Sequence, residues 1–321
     1  MPLYDTLGSE AIEFIINQTE MTLIVASKDK VKILLDLKDK LKSLKHIVIM
    51  EDADEALVKQ GLDAKIEIIS MKNLEKEGEA EPKPANAPGP EDVATYVILQ
   101  KLKTKKKNWK KILKLSCRIC YTSGTTGMPK GVVLTHAHIL SFPAAALALC
   151  AKGHLYQFVK DDIYVSYLPL AHIYEREVQC VIVYHGARIG FFQGDTLKLL
   201  DDVAELKPSL FPSVPRLYNR IYDKVMAGVK AKGGIAKLLF DYAYSSKKAC
   251  LQNGYTTHWL WDRLVFSKIK ARLGGNVKLM LTGAAPISAD VMDFLRIAFG
   301  ADVHEGYGQT ETCAAISVVR I

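Results

Sequence analysis

The chain has no run of about 20 apolar residues, the length a membrane-crossing helix needs. Its longest apolar stretch, around Ala144 to Ala151, falls far short of that. No signal-peptide pattern is present either, so a soluble or peripheral protein is expected. The six cysteines follow no regular framework, which argues against a disulfide scaffold and for a reducing compartment. Cys117 and Cys120 form a lone C-x-x-C without a second pair or a histidine at ligand spacing, so neither zinc binding nor thiol redox chemistry is expected there. His136 and His138 stand two apart, a spacing that does not share a helix face, and no metal site is expected from them. No G-x-G-x-x-G opens a helix, which disfavours a dinucleotide fold.

Acid is missing from one segment. Tyr96 to Arg118 holds eight Lys and one Arg and no Asp or Glu. Subtracting those nine from the 43 basic residues leaves 34 against 35 acidic ones, so the net charge of +8 becomes −1. The basic character therefore belongs to this stretch, and it gives no reason to expect a nucleic-acid partner.

What is present is chemically pointed. Tyr121-Thr-Ser-Gly-Thr-Thr-Gly-Met-Pro-Lys130-Gly131 gathers four Ser/Thr hydroxyls, three glycines and a lysine in eleven residues. Glycines let backbone N–H groups turn inward around an anion, hydroxyls donate to phosphate oxygens or a bridging metal, and Lys130 adds a point charge. The spacing is not G-x-x-x-x-G-K-[ST], because Gly124 and Gly127 are three apart and Lys130 precedes a glycine. A Gly/Thr-rich surface turn is the plain alternative, but ordinary turns seldom need so many special residues.

Around this loop the hydrophobic pattern alternates between helix and strand. Ser9 is expected to cap a helix carrying Ile12, Ile15 and Ile16, and Lys30 to Lys45 has near-helical apolar spacing. Strands are expected at Met21 to Ala26, His46 to Met50, Lys65 to Ser70, Ile163 to Leu168, Arg188 to Gln193, Ser209 to Val214, Val277 to Thr282 and Asp302 to Glu305. Further helices are expected at Asp54 to Gln60, Ala137 to Lys152, Thr196 to Leu206, Arg216 to Lys230, Ile235 to Gln252, Leu260 to Arg272 and Ala289 to Phe299. Such alternation implies an α/β fold with parallel or mixed sheets covered by helices. The motifs fall just after strand ends, where open α/β sheets bind ligands. Glu79 to Glu91, with four prolines, is expected to be an extended surface linker.

The loop Thr122 to Lys130 resembles the signature of the adenylate-forming superfamily. Tyr167-Leu-Pro-Leu-Ala-His172-Ile-Tyr-Glu-Arg176, Pro212-Ser-Val-Pro-Arg216-Leu-Tyr-Asn-Arg220, Leu281-Thr-Gly283-Ala-Ala-Pro286-Ile-Ser288 and Glu305-Gly-Tyr307-Gly-Gln-Thr310-Glu311-Thr follow in the family's order. Together they resemble a eukaryotic long-chain fatty acid–CoA ligase over nearly the whole chain. The resemblance implies the large N-terminal domain of that fold, in three parts: an α/β part over 1–78, a linker and insert over 79–118, and an ATP- and acyl-binding part over 119–321. It implies ATP, Mg²⁺ and coenzyme A as reactants, a long-chain fatty acid as substrate, and peripheral membrane association at the cytosolic face of the endoplasmic reticulum or peroxisome.

By the same resemblance, Thr122, Ser123, Gly124, Thr125, Thr126, Gly127 and Lys130 hold the β- and γ-phosphates. Gly283, Ala284 and Ala285 wall the adenine and acyl path, and Tyr307 between Gly306 and Gly308 lies against the purine, with Gln309 next to it. Thr310 bonds the α-phosphate, Glu311 holds Mg²⁺ with Thr125, and Thr310, Glu311 and Lys130 form the catalytic set. His172, with Gly283, is placed beside the acyl carboxylate, although a lone histidine after a strand is more often structural. Arg216 and Arg220 are expected to be helix-surface charges. The family's ribose-binding Asp, hinge and C-terminal catalytic Lys lie beyond the Thr-Glu motif and match nothing here, so negligible turnover is expected from this chain alone. A non-catalytic nucleotide- or acyl-binding protein on a membrane surface is the rival reading. The Lys-rich Tyr96 to Arg118 interrupts what the family would make one strand, and two accounts of it stand: translated non-coding sequence, or a basic Trp109-bearing helix that touches anionic lipid.

Overall fold

The computed structural model describes residues 3, 4, 7–84, 86–91, 93–95, 120–122 and 130–320. Two mainly parallel sheets carry the architecture. The smaller has the order β1 (Leu23–Ala26), β2 (His46–Ile49), β3 (Glu67–Ser70). Its Ile47 and Ile49 pack with Val31 and Leu34 of helix α2 (Lys28–Asp36) and with Ile16 of α1 (Ser9–Thr19). Gly8, not Ser9, is the N-cap of α1, and no side chain caps it. Helix α2 stops at Asp36, short of the expected Lys45. Leu37, Leu41 and Leu44 are buried all the same, because the following turns keep them aimed at the sheet. Helix α3 (Glu55–Asp63) is capped by Asp54, whose carboxylate accepts from the Leu57 N–H at 2.8 Å. Helix α4 (Met71–Ala80) has no buried residue and so lacks the apolar stripe that would have announced it.

Two short antiparallel pairs lead to the larger sheet. β4 (Val93–Thr95) pairs with β7 (Leu134–Thr135), and β5 (Cys120–Thr122) with β6 (Lys130–Val132). The larger sheet has six strands in the order β13 (Ser317–Arg320), β12 (Asp302–Tyr307), β11 (Leu279–Gly283), β10 (Leu210–Ser213), β8 (Ile163–Ser166), β9 (Arg188–Phe191). All its pairings are parallel except that of the edge strand β13.

Successive strand residues face opposite sides, and the sheet is buried on both. Val165, Phe211, Met280 and Val303 pack on one face with α7 (Leu199–Leu206), α8 (Pro215–Lys232), α9 (Gly234–Gln252) and α12 (Ala289–Phe299). Their neighbours Tyr164, Leu210 and Leu279 pack on the other with α5 (His136–Ala151) and α6 (Ile173–Tyr184). After α9 comes a broken helix: α10 (Trp259–Trp261), a π turn (Asp262–Phe266), α11 (Ser267–Lys270) and a 3₁₀ turn (Ala271–Leu273). At that bend Lys247 is fully buried, bonding Asp262 Oδ1 and the Ile297 carbonyl, each at 2.6 Å. The segment Tyr96 to Arg118 lies outside the described residues.

Candidate active site

Parallel pairing puts the C-terminal ends of β8, β10, β11 and β12 on one edge of the large sheet, and the motifs sit there. His172 follows β8, Ser213 ends β10, Gly283 ends β11 and Tyr307 ends β12. The hairpin β5–β6 pairs Thr122 with Lys130 across its mouth. Ser123, Gly124, Thr125, Thr126 and Gly127 between them lie outside the described residues.

Three of the motif segments meet in one small apolar cluster. Val132, two residues beyond Lys130, and Leu134 pack with Ile173, which follows His172, and with Cys313, two residues beyond Glu311. The phosphate-loop strand, the His172 turn and the Thr310–Glu311 turn are therefore held to a common support. Burial pushes the Cys313 thiol up to about 12, with the charge of Glu177 adding to the effect, so it stays neutral.

The turns themselves are unusual in backbone. Among the described residues, six non-glycine ones have positive φ: Glu20, Lys65 and Lys207 at or just past helix C-termini, and Ala284, Cys313 and Ala314 in the motif turns. Left-handed residues other than glycine cost energy and concentrate where a turn must hold a special shape. Gly283 pairs with Gly306, and a Cβ at 283 would come within 3.0 Å of the Gly306 carbonyl oxygen. At Gly308 a Cβ would overlap the Ala314 carbonyl at 1.5 Å, so only glycine fits. Gln309 to Thr312 closes as a capping box around the 3₁₀ turn Thr310–Thr312, the Gln309 N–H donating to Thr312 Oγ1 at 3.0 Å.

Ala284, Ala285, Gln309 and Glu311 are exposed, and Thr310 is half-buried. The Tyr307 ring is 64% exposed, so it is not a core ring. Arg216 and Arg220 are exposed on α8. Among the described residues, no three His, Cys, Asp or Glu side chains gather as a metal cage.

His172 has a structural task. It is the N-cap of α6, its Nδ1 accepting from the Tyr174 N–H at 3.1 Å. An accepting Nδ1 leaves the proton of the neutral ring on Nε2, and burial lowers the pKa so that the neutral ring persists. Around it, tyrosines tie the strand ends together. Tyr167 donates to Ser213 Oγ at 2.7 Å, and Tyr174 and Tyr218 donate to the Leu281 carbonyl at 3.1 and 3.2 Å. Burial, with smaller effects from neighbouring charges, holds all three phenols above their ordinary range. Glu175 is fully buried but satisfied, accepting from Tyr164, from Ser166 Oγ at 2.7 Å and from Gln179 Nε2 at 2.9 Å.

Glu177 is the residue the motifs did not foreshadow. It is fully buried, and among the described residues neither carboxyl oxygen has a hydrogen-bond partner. Four residues after Ile173, it stands on the helix face that meets the Val132–Cys313 cluster. Burial raises its pKa to about 8, against the opposing pull of Arg176. The signal for α6 was present in Ile173, Val178, Val181 and Ile182 behind a capping histidine, but not the burial of a charged residue among them.

Beside the cluster, between α5, α6 and the sheet, lies an apolar cavity of about 110 Å³. Ala146, Leu149, Val178, Leu279, Leu281 and Ile316 are among the residues lining it.

This arrangement defines the fold of an adenylate-forming α/β domain. The structure superposes on the adenylation domain of a carboxylate reductase from Mycobacterium chelonae with a TM-score of 0.73 at 18% identity, covering 99% of this chain and 44% of that one. It also superposes on a long-chain-fatty-acid–CoA ligase from Archaeoglobus fulgidus with a TM-score of 0.59 at 18% identity, covering 99% and 49%. The chain belongs to the AMP-binding enzyme family, whose model matches residues 1–321. It is 45% identical over 319 residues to the peroxisomal long chain acyl-CoA synthetase 7 of Arabidopsis thaliana, covering 99% of this chain and 41% of that protein. It is 43% identical over 318 residues to human long-chain-fatty-acid–CoA ligase 1, covering 98% and 42%. The chain thus spans about two fifths of the length of these curated relatives.

Proposed function

We propose that the protein activates long-chain fatty acids to acyl-CoA through an acyl-adenylate. The carboxylate oxygen attacks the α-phosphorus of ATP and pyrophosphate leaves with the bonding pair. The thiol of coenzyme A, losing its proton, then attacks the acyl carbon and AMP leaves. The nucleophile is weak and the leaving group highly charged, so the protein's task is alignment and charge neutralisation.

The roles are those the family resemblance implies, and the described positions support them. The loop Thr122 to Lys130, through Ser123, Gly124, Thr125, Thr126 and Gly127, cradles the β- and γ-phosphates. Tyr307, exposed between Gly306 and Gly308, offers its face to the purine against Gly283, Ala284 and Ala285. Thr310 bonds the α-phosphate, with Gln309 in the same turn, and His172 presents its Nε2–H toward the carboxylate. Mg²⁺ takes one or two protein carboxylates and otherwise phosphate and water, and an exposed Glu311 with Thr125 suits that donor set. Bound there, the ion would neutralise charge on the departing pyrophosphate.

The observation that carries this proposal is the cluster of Val132, Leu134, Ile173 and Cys313, which holds the three motif turns to one support. The cavity beneath α5 and α6 is lined as an acyl chain requires. A cavity of roughly 150 Å³ holds benzene, so one of about 110 Å³ takes a few methylenes of the chain as it stands. We place the protein at the membranes that hold such substrates, on the cytosolic face of the peroxisome or endoplasmic reticulum, and keep the division into 1–78, 79–118 and 119–321.

Calorimetry with a non-hydrolysable palmitoyl-adenylate and with AMP tests the proposal. Buried methylenes contribute about 0.8 kcal/mol each, so the acyl-adenylate should bind about tenfold or more tighter than AMP. Equal affinity, or no binding of either, overturns it.

A further inference from the structure

Helix α9 is apolar on the wrong side. Its inner face, Phe240, Ala243 and Leu251 with Lys247, is buried in the core. The opposite face carries Ile235, Leu238, Leu239 and Tyr242, the i, i+3, i+4, i+7 spacing of a second stripe, and this one is bare. Ile235 is 84% exposed, Leu238 69%, Tyr242 68% and Leu239 42%. The Tyr242 ring meets Trp261 of the short helix α10 at 5.6 Å, and Trp259 of the same helix is 80% exposed. Isolated exposed apolar residues need no explanation, but a stripe of four beside aromatic rings marks a surface that meets something.

Charge says what that is. Between Lys224 and Phe240 the chain carries Lys224, Lys230, Lys232 and Lys237 and no acid. Lys230 and Lys232 end α8, and the stripe begins with Ile235 directly after the Gly233–Gly234 corner, where both glycines have positive φ. Lys237 pairs with Asp241, while Lys230 and Lys232 are exposed at the tip. Apolar side chains with aromatic neighbours, flanked by lysines, suit the boundary between headgroups and acyl chains of an anionic bilayer.

We propose that the elbow of α8 and α9 docks on an anionic lipid surface, inserting Ile235, Leu238, Leu239 and Tyr242 and setting Lys230 and Lys232 against lipid phosphates. This surface rests on the proposed membrane association and is independent of the nucleotide chemistry.

The test is co-sedimentation of the chain with phosphatidylcholine vesicles that do or do not contain phosphatidylserine, alongside AMP binding and sedimentation velocity. The wild type should pellet with the anionic vesicles and about tenfold more weakly with the neutral ones. Ile235→Glu with Leu238→Glu, and separately Lys230→Glu with Lys232→Glu, should each lose about tenfold or more of the anionic binding and leave AMP affinity unchanged. Wild-type pelleting by both double variants, absence of lipid binding by the wild type, or a dimer without lipid that the Ile235→Glu, Leu238→Glu variant dissolves would each overturn the proposal. Loss of AMP binding by the wild type would instead count against the ligase.

Discussion

At Glu177 a single side chain sets a pH dependence for the fold. Its carboxyl titrates near 4.5 when unfolded and at about 8 when folded, because burial disfavours the charge. Between those values the folded chain holds a proton that the unfolded chain releases, so stability falls as pH rises. The stabilisation is fully present below 4.5 and lost as pH climbs through about 8. The expected slope approaches 1.4 kcal/mol per pH unit within that window. Urea denaturation across the window should show that slope in the wild type and a much shallower one in Glu177→Gln, which keeps the shape without the charge. Gly308 makes a second prediction at this scale. Gly308→Ala forces a methyl into the Ala314 carbonyl and should weaken AMP binding about tenfold or more, measured by calorimetry.

Much at this scale was legible and some was not. The residue types at Gly306 to Glu311 suggested a turn made for close approach, and the overlap at Gly308 gives the reason. Gly-Tyr-Gly alone suits a core ring as well as a binding turn, but Gln309-Thr310-Glu311 behind it points to the binding turn, and the Tyr307 ring is exposed. Glu177 could not be read at all, because its isolation depends on which segments pack over α6, and spacing along the chain is silent on that.

Among the elements, α6 supplies the clearest test of what His172 does. As an N-cap it should contribute about 1 kcal/mol, so His172→Ala should lower stability by that amount. His172→Asn restores a capping acceptor and should recover the stability in urea melts. If the Nε2–H also serves the carboxylate, acyl-adenylate affinity stays low in both variants. The cavity against α5 adds another prediction. Ala146→Phe fills it, and should erase the preference for palmitoyl-adenylate over AMP while AMP affinity holds.

Periodicity found the elements with a strong apolar face. The five expected strands of the large sheet lie within a residue or two of β8, β9, β10, β11 and β12, since each is a short apolar run bounded by turns, and β8, β10 and β11 are buried on both sides. It missed α4, which buries nothing, and passed over α6, where Glu175 and Glu177 interrupt the apolar spacing. It also extended α2 into turns, because Leu37, Leu41 and Leu44 stay buried without the helix.

For the molecule as a whole, order along the sheet does what no single motif does. Parallel pairing of β8, β10, β11 and β12 gathers turns more than a hundred residues apart onto one edge, and the Val132–Cys313 cluster fixes the phosphate-loop hairpin beside them. The most direct test is calorimetric binding of Mg·ATP to the wild type, Lys130→Met, Glu311→Gln and the double variant. One nucleotide shared by both corners should give a single site, about tenfold weaker in each single variant, with the double variant losing less than the product of the two. Two separate sites, or losses that simply multiply, would contradict a shared nucleotide.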